Sequence, residues 1–104
     1  MDYNVIVTSD AENDLDRYTR YLLFEKRNEQ TAGNLINDFE ETVQILSRVA
    51  GSLKPCENPR LKAQGYKRIN FQRHRYFMLF RIEESNAIVD ALFHEMQDYE
   101  NKLI

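Results

Sequence analysis

From Tyr66 the apolar periodicity of this 104-residue chain changes to two, and that change limits the folds open to it. In the two long stretches before it, apolar residues recur every three to four positions; after it they alternate. The alternating part divides into runs at 66–71, 75–83 and 87–93, rich in aromatic and β-branched types. Gln72-Arg73-His74 and Glu84-Ser85-Asn86 separate the runs. A parallel crossover needs about a dozen residues or more, so links this short predict an antiparallel three-stranded meander.

The helical half opens with a short strand at 3–8, Tyr-Asn-Val-Ile-Val-Thr. Ser9 and Glu12 have the spacing of a capping box, which predicts a helix start worth about 1 kcal/mol. Ala11, Leu15, Tyr18 and Leu22 carry that helix to Lys26 or Arg27, whose charges suit its C-terminal dipole. Thr31 is a second candidate cap. Ala32, Leu35, Ile36, Phe39, Val43, Leu46 and Ala50 form a long stripe, and Gly51 fits a left-handed helix end. The polar link at 28–31 is short, so the two helices form an antiparallel hairpin. Residues 52–65 hold Pro55, Pro59 and Gly65 and are expected to form a basic loop without regular helix. The expected fold is α+β over 1–104 as one domain: strand, helix, helix, three-stranded antiparallel meander, with the hairpin packed on one face of the sheet.

Strict alternation sorts the faces. Tyr76, Met78, Phe80 and Ile82 share the side assigned to the helices. The other side would show Phe77, Leu79, Ile88 and Leu92 inside a ring of Arg68, Arg75, Arg81, Asp90 and His94. Two helices cover one side of a small sheet, so this second face is expected to be open. Monomers rarely tolerate such a patch. Its cover would be residues 96–104, a second copy or, as favoured here, a bound partner.

Charge points the same way. Net charge is only −3, but residues 54–81 carry eight cations and one carboxylate, Glu57. This basic band suits phosphates or an acidic partner segment, or is simply a solvated face. The single cysteine, Cys56, excludes an internal disulfide and fits a reducing compartment. The N-terminal residues lack the basic and apolar regions of a signal peptide, and no run reaches the ~20 apolar residues of a membrane span. A cytoplasmic location without membrane partners is expected. His74 and His94 with one cysteine give no metal-ligand spacing, and no Gly-rich phosphate loop or nucleophile motif occurs. No cofactor is expected.

The order strand–helix–helix–three strands resembles the RelE/ParE family of bacterial toxins, across essentially the whole chain. Tyr66-Lys67-Arg68-Ile69-Asn70-Phe71 resembles that family's second strand. His74 to Glu83 resembles its central strand, and Phe93-His94-Glu95-Met96-Gln97-Asp98-Tyr99-Glu100 its closing motif. The resemblance implies an antitoxin whose C-terminal segment wraps and neutralises the toxin, here over Phe77, Leu79, Ile88 and Leu92 and against Arg75 and Arg81. It implies one of two targets: ribosome-bound messenger RNA, cut by RelE-like members, or DNA gyrase, poisoned by ParE-like ones. RNA cleavage through its own 2′-OH needs a base, cations and an acid. This chain has Asn70, Phe77, Met96 and Gln97 where RelE-like relatives carry cations. What remains for catalysis is Arg68, Arg75, Arg81, His94 and Tyr99. His94 is an acid or base candidate, or simply a hydrogen-bonded strand end. The balance leans to the ParE-like, gyrase-directed branch. The alternatives are a RelE-like ribosome-dependent mRNA endonuclease and a non-toxic binding module of the same fold.

Overall fold

The computed structural model describes residues 2–96. Strand β1 (Asn4–Val7) leads into helix α1 (Ser9–Arg20), which continues as a π-helical turn over Tyr21–Glu25. Helix α2 (Glu29–Val49) returns antiparallel and closes in a 3₁₀ turn, Ala50–Ser52. A short helix α3 (Pro59–Ala63) precedes β2 (Lys67–Asn70), β3 (Tyr76–Glu83) and β4 (Asn86–His94). The expected meander is present. β1 joins it as a fourth strand, parallel to β4, so the sheet order is β1-β4-β3-β2.

Local chemistry fixes the helix ends, at positions shifted from the sequence reading. Thr8, not Ser9, caps α1: it is extended, and its hydroxyl accepts from the Ala11 amide at 3.2 Å. Ser9 is already helical and cannot cap. Asn28 caps α2 by accepting from Thr31 N–H at 3.0 Å, so Thr31 is the capped residue and not the cap. Arg27, at φ 50°, makes the left-handed turn between the helices. Gly51 does not adopt a left-handed end; a Cβ there would collide with the Tyr3 hydroxyl. Close approach, not backbone freedom, explains that glycine. The 52–65 segment is not free of helix either. Pro59 occupies the first position of α3, where its missing N–H costs nothing, and Asn58 accepts from the Arg60 and Leu61 amides.

The main core lies between the helices and the sheet. Leu35 and Leu46 of α2 meet Met78, Phe80, Val89 and Leu92. Ile36, assigned to the stripe, is instead 40% exposed. A second core fills the opposite face, where Cys56, Leu61 and Tyr66 cover Phe77, Leu79, Ala91 and Phe93. The face expected to be open is therefore closed by the chain's own 56–66 segment. Phe77 and Leu79 are fully buried, and Ile88 and Leu92 nearly so.

One extra residue explains why the alternation misplaced Leu92. Leu79 pairs with Ala91 and Phe80 with Val89, so Asp90 is bulged. A bulge reverses the facing of every residue beyond it. Leu92 and His94 turn to the helix side, while Ala91 and Phe93 turn to the second core. Among the described residues no helix is long and apolar enough to cross a membrane.

Candidate functional site

The three candidate arginines are in three different states, and Arg68 and Arg81 lie on the second face of the sheet. Arg81 on β3 donates Nε to Asp90 Oδ2 at 2.7 Å and also bonds Glu83. The same Asp90 oxygen accepts the Tyr66 hydroxyl at 2.9 Å. The Asp90 hydrogen bond raises the Arg81 pKa further above its already high value. The Tyr66 phenol is pushed up by burial and then by Asp90. The β-bulge that displaces Asp90 thus supplies the counter-charge that neutralises Arg81.

Arg68 on β2 lies 3.8 Å from the centre of the Phe77 ring, within cation–π range. It donates Nε to Asn70 Oδ1 at 2.9 Å and stands 3.9 Å from Glu95. It borders a cleft of about 640 Å³ between residues 52–57 and β2, which Lys54, Cys56 and Asn70 also line. Burial pushes the Cys56 thiol up, against the pull of the nearby Arg68 charge. Arg75, just before β3, is exposed, with no ion pair among the described residues.

His94 lies on the other side of the sheet. It faces Tyr76, ring edge to ring face at 5.0 Å, and Tyr76 in turn meets Tyr18 of α1 at 4.8 Å. Its Nδ1 accepts from the Met96 amide at 3.1 Å. These rings line a groove of about 560 Å³ with Arg17, Tyr21, Leu22 and Met96. Burial pushes the Tyr18 and Tyr76 phenols up. The arginines and His94, read from sequence as one possible catalytic set, are therefore separated by the sheet. Tyr99 lies outside the described residues. Phe77, Leu79, Ile88 and Leu92, expected to meet a partner, are instead interior.

Two features escaped the sequence reading. The first is Asp38 of α2, whose side chain is only 1% exposed. It accepts from the Gln72 and Arg73 amides at 3.0 and 2.9 Å and from His74 Nδ1 at 2.7 Å. Burial alone would raise its carboxyl; the His74, Arg73 and Gln72 hydrogen bonds outweigh that and hold it below the ordinary range. Arg73 adds an ion pair to Glu41. The turn between β2 and β3 is thereby clamped to α2. The signal was available, since Asp38 falls in phase with Leu35, Thr42 and Leu46. The second feature is the aromatic groove itself, whose tyrosines the sequence offers only as helix and strand residues.

Chemically, among the described residues, the second face offers two cations already satisfied by neighbours and one, Arg75, without an ion pair at the edge. No group of three His, Cys, Asp or Glu side chains placed to hold a metal occurs among the described residues. Residues 5–99 match the family described as ParE toxin of type II toxin-antitoxin system, parDE. Among solved structures, the chromosomal ParDE toxin–antitoxin system from P. aeruginosa superposes with a TM-score of 0.70 at 22% identity, over 88% of this chain and 95% of that one. The toxin–antitoxin complex RelBE2 from Mycobacterium tuberculosis gives 0.60 at 23% identity, over 90% and 99%. No curated protein matches the sequence.

Proposed function

The chain belongs to the ParE toxins of type II toxin–antitoxin systems, and from that footing we propose that it arrests growth by binding DNA gyrase and cuts no RNA. It acts in the cytoplasm and is silent while its antitoxin holds it. Both solved relatives are toxin–antitoxin assemblies, which supports an antitoxin as its partner.

One observation carries the choice of target. RNA cleavage needs base, acid and phosphate-binding cations around one scissile bond. In this chain Arg81 is neutralised by Asp90 and Glu83, and His94 stands across the sheet from it. A toxin that works by binding needs no such convergence. The second reading, a ribosome-dependent mRNA endonuclease, is favoured by exposed Arg75 and by Arg68 beside its cleft.

Purified protein in a gyrase supercoiling assay, run beside primer extension on ribosome-bound message, separates these readings. Inhibited supercoiling with intact message is the expected result. New message ends that depend on ribosomes would replace it with the nuclease, with Arg68 and Arg75 the first residues to substitute. Silence in both assays would leave a non-toxic binding module.

A further inference from the structure

Folding divides the basic band of residues 54–81. Three of its eight cations face carboxylates: Arg68 meets Glu95, Arg73 meets Glu41 and Arg81 meets Asp90. Lys54, Arg60, Lys62 and Lys67 have no ion pair among the described residues. Lys54, Arg60 and Lys62 are exposed, and Lys67 is half-buried. All four belong to the 54–67 segment, whose one carboxylate is Glu57, so it carries +3 in a chain whose total is −3. The helices lie on the other side of the sheet, and residues 1–53 hold ten carboxylates against five cations. Charge is therefore sorted across the sheet.

The basic segment is a braced unit. Pro55 bridges to Lys67, the Cys56 amide donates to the Tyr66 carbonyl at 2.9 Å, and the Tyr66 amide donates to the Leu61 carbonyl at 2.9 Å. Cys56, Leu61 and Tyr66 turn inward on Phe77 and Leu79. None of the large apolar side chains exposed among the described residues lies in this segment. Its outer surface is thus cationic and polar without an apolar anchor. A protein partner needs apolar or aromatic anchors at the centre of its contact. A single nucleic-acid strand needs aromatic rings on which its bases stack. The segment's one ring, Tyr66, is half-buried with its hydroxyl tied to Asp90. A duplex backbone asks for neither, because lysines and arginines hold its phosphates without reading bases.

We propose that the 54–67 unit docks on the phosphate backbone of duplex DNA through Lys54, Arg60 and Lys62, with Lys67 beside them. The proposal rests on the gyrase reading above for the identity of that duplex, which is the DNA the enzyme holds. The cleft of about 640 Å³ between residues 52–57 and β2 has both Lys54 and Arg68 in its wall and gives a phosphate room to enter. The acidic helix side is repelled by a polyanion, so the same charge pattern turns the basic unit toward the duplex.

The test is fluorescence anisotropy with a labelled DNA duplex of arbitrary sequence over a salt series, run beside the supercoiling assay. The native protein should bind the duplex with log K falling against log salt at a slope of about −3, from about −0.9 for each of three phosphates neutralised. The triple variant Lys54→Ala, Arg60→Ala, Lys62→Ala should bind about tenfold more weakly or worse, with a flatter slope. All three positions are exposed, and circular dichroism melts check that the variant still folds. A control with Lys26→Ala and Arg48→Ala, exposed cations of the helical half, should stay within twofold. Inhibited supercoiling without duplex binding, or with duplex binding that the triple variant keeps, overturns the docking surface and leaves the gyrase reading standing. Tighter binding to single-stranded RNA than to the duplex also overturns it, by giving the cations to the nuclease reading. Duplex binding that the triple variant loses, in a protein that leaves supercoiling untouched, supports the surface and removes the gyrase reading.

Discussion

Asp38 shows how much one side chain decides. Its carboxylate terminates three hydrogen bonds from the β2–β3 turn, and its pKa lies below that of an unfolded chain. A depressed folded-state value stabilises fully above the unfolded value, near ~3.9, and that stabilisation is lost as pH falls through the lower, folded one. Melts from neutral pH to pH ~2 should show the native protein weakening below about pH 4. Asp38→Asn should have a flatter acid limb over that window and about 1–3 kcal/mol less stability at neutral pH. The glycines give an opposed pair. Gly33 is exposed within α2 with open space where a methyl would go, so Gly33→Ala should stabilise by about 1 kcal/mol. Gly51→Ala meets the Tyr3 hydroxyl and should destabilise by about 1 kcal/mol or more in urea titration. Sequence reading reached neither result, because a glycine's reason lies in its neighbours and not in its own type.

Elements were legible where many residues vote together. Two helices and three meander strands follow from periodicity, which averages over a dozen positions and survives local exceptions. The Asp90 bulge is a single insertion with no periodic signature, yet it exchanged Leu92 for Ala91 and Phe93 across the sheet. The five-residue α3 was hidden by its own proline, which marks a helix start as readily as a break. That small element matters for what the sheet exposes. Leu61 is completely buried against Phe77 and Leu79, so Leu61→Ala should cost about 2–5 kcal/mol. The same variant should bind a hydrophobic dye more strongly in its native baseline, as Phe77 and Leu79 become reachable. Unchanged stability would mean that α3 is not the cover of the second face. On the opposite side, Leu35→Ala should cost a similar ~2–5 kcal/mol by emptying the helix-facing core.

For the whole molecule, family and architecture were readable from motif order, while the site was not. Arg68 and Arg81 owe their state to Glu95 and Asp90, at distances that only folding sets. Exposed Tyr21, Leu23 and Phe24 lie on a π-helical turn that the sequence reads as ordinary helix. The sheet order carries one more consequence, and it concerns birth rather than binding. β4 is made last of the four strands, yet it lies between β1 and β3, and Asn4 waits for Asn86 before it can pair. Contacts so distant in sequence form late and slow folding. On the ribosome, protease protection of the nascent chain should therefore appear abruptly, only after residue 94 has cleared the exit tunnel. A chain wired in this order closes its sheet only when the last of the four strands has been made.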